Sequence, residues 1–123
     1  MNFIFEKINH DDLKRDIEEY QIELDWNQIY PNYIWDNDCY LYRIVDETGA
    51  VIAFLYYERQ KDGIQIDKFE VVKDKRSKGY GTEIINQFFS ENKINPSKVD
   101  ITPVDSVSEK FWTKLGVECE FYG

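Results

Sequence analysis

The stretch VVKDKRSKGYGTEIINQFF, Val71 to Phe89, places four cationic side chains and two glycines ahead of an apolar pattern, in a chain whose formal net charge is -9. The β-branched and aromatic residues that precede the cations predict a strand that ends near Val72. Apolar residues then recur at helical spacing and predict a helix over about 81–92. They are Ile84, Ile85, Phe88 and Phe89. A strand, a basic turn and a helix are therefore expected in succession.

The turn between this strand and this helix has the chemistry of an anion site. The first N–H groups of a helix lack an intrahelical acceptor and carry the positive end of the helix dipole. Gly79 and Gly81 allow a ligand to approach the backbone closely, and Thr82 adds a hydroxyl. The pattern is neither a Walker loop nor a full Rossmann fingerprint, because Ile84 replaces the third glycine. A pyrophosphate suits the turn, although a glycine-rich turn with solvated cations is an alternative. The cations are Lys73, Lys75, Arg76 and Lys78.

Length and composition predict one globular domain, 1–123. The 123 residues are 42% hydrophobic and 16% aromatic, which is typical of a folded chain with a single core. No apolar run is long enough to span a membrane, and acidic residues follow the N-terminus too early for a secretory signal, so we expect a cytoplasmic protein. With 24 acidic against 15 basic residues, neither nucleic acid nor a membrane surface is an expected partner. Cys39 and Cys119 lack metal-ligand spacing, so no metal site is expected.

Periodicity and turn residues predict an α+β fold, with a central mixed sheet of about six strands flanked by helices. Asn9 and Asp12 are typical of a helix N-terminus. Ser106 and Glu109 predict a capping box for a last helix, which Gly116 ends. The apolar face of that helix is predicted to contain Val107, Phe111, Trp112 and Leu115. The expected strands are 3–8, 40–45, 51–59, 64–72, 98–103 and 117–122.

Two short motifs resemble those of a known family. Arg76 to Gly81 spell R-x-x-G-x-G after the strand residues FEVV and before an amphipathic helix. This resembles the acetyl-CoA signature of the GNAT (Gcn5-related N-acetyltransferase) superfamily. The sequence SEKFWTKLGV, about 30 residues later, is similar to the second signature of that family, A-x-x-F-Y-x-K-x-G-F. The order and spacing of elements are also similar, so the resemblance covers nearly the whole chain.

The resemblance implies acetyl-CoA as co-substrate and direct transfer of its acyl group to an amine, without an acyl-enzyme nucleophile. Backbone groups of Val71 and Val72 would pair with the pantetheine arm, in a gap beside the strand 98–103. The acyl carbonyl would then lie near the N–H of Val71 or Val72. The pyrophosphate would be wrapped by Arg76, Ser77, Lys78, Gly79, Tyr80, Gly81 and Thr82.

The resemblance also indicates where a general base would lie, because a neutral amine is needed for attack. Family members place a Glu or His nine to eleven residues before the signature arginine, and these positions are Gln65 and Asp67. Gln65 cannot take a proton, whereas Asp67 can. Strand alternation predicts that Asp67 shares a face with Phe69, unless a bulge intervenes. Glu70 is a second candidate on the other face, and each carboxylate could instead be solvated or salt-bridged.

Two positions depart from the family pattern. Trp112 replaces the tyrosine that usually protonates the leaving thiolate, so Tyr80, Tyr122 or water would have to substitute. Asp105 replaces an asparagine beside the cofactor. These departures favour one alternative, a catalytically silent GNAT-fold module that binds CoA or a protein partner. A small α+β binding protein unrelated to the family is a further alternative.

The acidic and aromatic segment 16–38 occupies the place that shapes the acceptor site in the family. Carboxylates beside Trp26, Tyr30 and Trp35 would attract a cation through charge and cation–π contacts. The predicted acceptor is a small cationic amine or a protein amino group, although a solvated acidic face is an alternative. Part of the segment, 26–38, is predicted to be a short helix or a loop. A homodimer is compatible with the sequence.

Overall fold

The computed structural model describes residues 2–20, 22, 38–101 and 106–119. Among them, five strands form one sheet in the order β1-β2-β3-β4-β5, in which only the β4–β5 pairing is parallel. This is the predicted α+β arrangement, with five strands where about six were expected. The strands are β1 Ile4–Lys7, β2 Cys39–Val45, β3 Val51–Gln60, β4 Gly63–Val71 and β5 Val99–Asp100. The helices are α1 His10–Glu19, α2 Tyr80–Glu91 and α3 Ser106–Lys114.

α1 begins with the predicted cap. The Asn9 side chain accepts a hydrogen bond from the Asp12 N–H at 2.8 Å, and the Asp12 carboxylate accepts one from the Asn9 N–H at 3.2 Å. This reciprocal capping box satisfies two N–H groups at the start of the helix. Asp16, further along α1, binds Arg43 of β2 at 2.9 Å, and this ion pair links the helix to the sheet.

The sheet has two apolar faces. On the face that we call the α2 face, side chains of β3 and β4 pack against α2, whose buried residues are the four predicted from its periodicity. On the opposite face, the α1 face, Leu13 packs against Leu41, Phe54 and Tyr56. None of the described helices is long and apolar enough to cross a membrane.

The C-terminal part differs most from expectation. Within the described residues, β5 is only Val99–Asp100, and 117–119 form no strand, whereas strands were expected at 98–103 and 117–122. Ser106 is the first residue of α3 and not its cap. Val107, expected on the buried face of this helix, is 75% exposed because it lies at the mouth of the cleft described below. Gly116 ends α3 with a φ of 85°, as predicted.

β4 contains the irregularities that position the site. Its pairing with β5 involves only Ile64 and Gln65, so the rest of its length has no β5 partner. The register with β3 shifts between Ile66 and Lys68, which leaves Asp67 as the extra residue of a β-bulge.

Candidate active site

Among the described residues, no strand pairs with the C-terminal end of β4 on the side of β5, and we call this side its open edge. The Val72 N–H donates to the Ile52 carbonyl at 2.9 Å, and Val71 lies opposite Ala53. In an antiparallel ladder the residues alternate between those that bond to the neighbouring strand and those that point away. The register therefore directs the N–H and C=O groups of Val71 and Phe69 away from β3, toward the side on which β5 has ended. Val72 is not on this edge, because its N–H is already bonded.

A cleft of about 500 Å³ lies beside this edge, between the end of β4, the basic turn and α3. Seven of the nine residues predicted to bind the cofactor line it. The two others are Val72, which is buried, and Lys78, which is exposed on the turn. Phe69, which the sequence reasoning missed, lines the same cleft. Its position at alternate spacing from Val71 was the signal that could have identified it.

The turn between β4 and α2 has an unusual backbone. A short 3₁₀ helix, Lys73–Lys75, follows the strand, and Ser77 and Gly79 then have φ values of 63° and 81°. Gly79 caps α2 without a side-chain hydrogen bond. Because the cap residue supplies no side-chain acceptor, the first N–H groups of α2 can serve an anion at the cleft.

Gly81 is required by packing as well as by ligand approach. A Cβ atom at Gly81 would lie 3.1 Å from Cε1 of Phe111 and 3.6 Å from Cγ2 of Val71. The missing side chain therefore lets α2 approach α3 closely, and a bulky residue would also disturb the contact between these helices. Gly79 has open space around its Cβ position, but its positive φ disfavours other residues.

Arg76 connects the turn to β4. Its Nε donates to the Val71 carbonyl at 2.9 Å, and its Nη2 lies 2.9 Å from Oε2 of Glu70. The Glu70 side chain is only 5% exposed. Of the readings left open by the sequence, the salt-bridged one therefore describes Glu70.

Asp67, the other candidate base, does not line the cleft. A bulge does intervene, so Asp67 does not share a face with Phe69 and turns toward Gln65, whose Nε2 donates to Asp67 Oδ1 at 2.8 Å. Partial desolvation raises the pKa of Asp67, and the nearby charge of Glu58 raises it further, while the Gln65 hydrogen bond and Lys68 act in the opposite direction. Asp67 is therefore an exposed carboxylate with an increased proton affinity.

Aromatic rings form one wall of the cleft. Trp112 is 3% exposed, and its ring lies 4.9 Å from that of Phe111 and 5.9 Å from that of Phe69. Packing against these two rings accounts for a tryptophan at position 112. Tyr80 is half-buried and lines the cleft, so its hydroxyl group is a candidate proton donor for the leaving thiolate. The other predicted positions, Trp26, Tyr30, Trp35, Asp105 and Tyr122, lie outside the described residues.

The fold has close counterparts among solved structures. An IAA acetyltransferase from Bacillus cereus superposes with a TM-score of 0.64 at 18% identity, covering 93% of this chain and 75% of that one. An acetyltransferase from the GNAT family from Bacteroides thetaiotaomicron gives 0.62 at 14%, covering 94% and 68%. AAC(6')-Iy, in complex with the bisubstrate analog CoA-S-monomethyl-acetylneamine, gives 0.60 at 15%, covering 96% and 92%.

These similarities show that the chain has the GNAT fold, as the two motifs predicted. No protein-family model matches the sequence, and no curated protein matches it significantly. At identities of 18% or less, the structural likeness establishes the architecture and not the reaction.

Proposed function

We propose that this protein is a cytoplasmic N-acetyltransferase, which moves the acetyl group of acetyl-CoA to a primary amine by direct attack in a ternary complex. One observation carries the proposal. In a GNAT fold, the open edge of β4 and the basic turn meet at a single cleft, where strand amides that have no partner among the described residues and helix N-terminal amides would bind the same elongated ligand. Acetyl-CoA supplies the acyl thioester.

The cleft suits the two parts of CoA that this chain would hold. The pantetheine arm carries amides, which can pair with the N–H of Val71 and with the backbone groups of Phe69 as an added strand would, while the Val71 carbonyl is bonded to Arg76. The diphosphate would lie against the turn, where the amides from Arg76 to Thr82 and the positive end of the α2 dipole meet. The stacked rings of Phe69 and Phe111 lie beside the open edge and would give the thioester end an apolar wall.

The N–H groups on the open edge would also polarise the acyl group. Since Val72 is bonded to Ile52, the donors within reach of an acyl oxygen in the gap are the N–H groups of Val71 and Phe69. A donor fixed in a strand needs no reorganisation as negative charge develops on that oxygen. Its contribution to the rate would therefore be electrostatic.

Asp67 is the proposed general base. Because its pKa is raised, Asp67 has a higher proton affinity than an ordinary aspartate. The difference in proton affinity between the carboxylate and an amine is therefore smaller, which favours proton transfer. It lies on the side of β4 facing Tyr56, a residue of the α1 face, and would serve an amine arriving from that side, directly or through water. The departing thiolate would take a proton from water or from Tyr80.

The proposed acceptor is a small cationic amine or a protein amino group. The segment 16–38, with Trp26, Tyr30 and Trp35, would supply the carboxylates and aromatic faces that hold a cation. Asp16 does not contribute a free charge to this set, because Arg43 binds it at 2.9 Å. The bisubstrate analog in AAC(6')-Iy supports an amine acceptor for a protein of this fold.

Thiol release from acetyl-CoA, measured with a panel of amines, tests the proposal. We expect release that depends on an amine and is faster for cationic than for anionic acceptors. Calorimetric binding of CoA without any turnover would instead favour the silent module. Absence of CoA binding would overturn the acetyltransferase and the CoA-binding module alike, and would leave only a module that binds a protein partner or an unrelated binding protein.

A further inference from the structure

We propose that Glu70 is a positioning residue for the cofactor turn, which acts through Arg76 and does not take the proton of the amine. Glu70 would hold Arg76, and Arg76 would hold the turn in the shape in which its amides face the cleft. This inference rests on the proposed use of the cleft for CoA and adds a role for a residue that no CoA atom has to touch.

The first argument is geometric. One planar guanidinium makes two bonds at 2.9 Å, from Nε to the Val71 carbonyl and from Nη2 to Glu70. Two bonds from a rigid fork fix the orientation of the group as well as its distance. Both acceptors belong to β4, while the backbone of Arg76 belongs to the turn. The side chain therefore ties the turn to the strand along which the ligand would lie.

The second argument is that the backbone of the turn needs a side-chain contact to hold its conformation. Ser77 has a φ of 63°, which is unfavourable for a residue with a Cβ, and Gly79 has a φ of 81°. Residues 77–79 are exposed, so little packing holds this conformation. On its strand side, the turn is held by the bond from the Lys75 N–H to the Val72 carbonyl and by the Arg76 side chain.

The third argument concerns where Glu70 lies. Its side chain is 5% exposed, and across the sheet it faces Phe54, which is fully buried. Glu70 lines the cleft together with Arg76, but a carboxylate with so little exposure must be paired, and the 36% exposed guanidinium of Arg76 is its partner at 2.9 Å. An amine would have to displace the guanidinium to reach Glu70, whereas it could reach the exposed Asp67 directly.

The charge of Glu70 alone predicts the opposite change in CoA affinity. Glu70 is a negative charge beside a proposed anion site, so its removal alone should strengthen CoA binding. If Glu70 instead positions the turn, Glu70→Gln should weaken binding although a repulsive charge is gone. Glu83 provides a matched control, because it is exposed in the first turn of α2 and is neither of the two acceptors, Val71 and Glu70, that Arg76 holds at 2.9 Å.

The experiment is a calorimetric titration with coenzyme A. We expect Glu70→Gln to raise the Kd about tenfold, as for the loss of one charged anchor. Arg76→Lys should have a similar effect although it keeps the charge, because one ammonium nitrogen does not reproduce the rigid fork in which two separate nitrogens hold Val71 and Glu70. Glu83→Gln should leave the Kd unchanged or lower it. A Glu70→Gln protein that binds CoA as tightly as the wild type, or more tightly, would overturn the proposal.

Hydrogen exchange without ligand gives a second readout. Amides of 76–82 should exchange faster in Glu70→Gln than in the wild type, while those in the interior of α2 should not. If Glu70→Gln fails to fold, Arg76→Lys at the more exposed partner decides the matter by the same two measurements. If the wild type does not bind CoA, the proposed function is wrong, but Glu70 could still hold the turn through Arg76. If exchange at 76–82 is the same in Glu70→Gln as in the wild type, Glu70 does not hold the turn.

Discussion

Asp67 and Glu70 lie three residues apart on β4 and occupy contrasting environments. Asp67 is the extra residue of the bulge, is exposed and accepts a hydrogen bond from the Gln65 amide. Glu70 lies in the regular ladder, is buried and binds Arg76. The Asp67 carboxylate can exchange protons with solvent or substrate, whereas the Glu70 carboxylate forms an ion pair with Arg76. The partner of a carboxylate, more than its place in a strand, therefore indicates its role.

The largest effect that tests this contrast is on turnover. Asp67→Asn should lower kcat by about two to four orders of magnitude with little change in the Kd for CoA, as expected when a general base is lost. Steady-state kinetics with a cationic amine, together with calorimetry, would measure the two effects separately. Glu70→Gln should give the reverse pattern, with a larger change in Kd than in kcat.

The pH profile sharpens the same test. In the wild type, kcat should fall as the pH decreases through the raised pKa of Asp67, because the protonated carboxyl group cannot accept a proton. Asp67→Asn should lack this decrease and regain part of its rate at high pH, where the amine loses its proton unaided. If the same acid limb persists in Asp67→Asn, the base is another group.

Arg43 offers the next largest effect, since it binds the buried Asp16 and the more exposed Glu6, remote from the cleft. It binds Asp16, whose side chain is 7% exposed, at a distance equal to that between Arg76 and Glu70. Arg43→Met would leave Asp16 without this partner, and we expect a loss of about 2 kcal/mol in the free energy of unfolding, because Arg43 is partly exposed. Denaturant titration would measure it, and the Kd for CoA should not change.

The outcome of that comparison bears on Glu70. If Arg43→Met weakened CoA binding as much as Arg76→Lys does, general destabilisation would explain both effects. The ion pair between Glu70 and Arg76 would then have no specific role in positioning the turn. Replacing Asp16 by Leu in the Arg43→Met background should recover stability, since an apolar pair can substitute for a buried ion pair.

The sequence predicted the framework well because its signals are local. The helix N-terminus at Asn9, the buried stripe of α2 and the glycine turn before it depend on neighbours within a few residues, and all are present. Val107 and the strand 98–103 were not predicted correctly, since exposure at a cleft and the length of a β pairing depend on residues remote in the chain.

The site shows the same limit. The turn residues could be identified from R-x-x-G-x-G, but the bulge at Asp67 could not, because it arises from the register between β3 and β4. The salt bridge from Glu70 to Arg76 spans six residues across a strand end, where no periodicity applies. Gly81 was assigned to ligand approach, while its contact with Phe111 could be found only once α2 and α3 were packed together.

A smaller effect is expected at Lys78, which is exposed on the turn and does not line the cleft. Lys78→Ala should raise the Kd for CoA by at most about fivefold, because a solvated charge interacts weakly with a phosphate. The difference from wild type should shrink in high salt, whereas that of Arg76→Lys should persist. Titrations at two ionic strengths would separate the screened contribution of charge from positioning.

The smallest expected effect is on stability at Asp67. Because desolvation raises its pKa in the folded protein, folding favours the protonated form, and the ionised form costs stability. The contribution of this group is greatest below the ordinary aspartate pKa and is lost as the pH rises through the raised value. Asp67→Asn, which is always neutral, should therefore raise the Tm at pH 7 by on the order of 1 °C, and the gain should vanish near pH 3.

Asp62→Asn is the matched control for this last measurement, because Asp62 is exposed and paired with Lys98 at 2.9 Å. That substitution should leave the Tm unchanged or lower it slightly at neutral pH. A gain at Asp67 that is absent at Asp62 would mean that the chain retains a carboxylate at a cost in stability, as expected of a group kept for its chemistry. If Asp67→Asn lowered the Tm at pH 7 as well, the charge of Asp67 would be stabilising, and the bulge would hold a structural residue in place of a base.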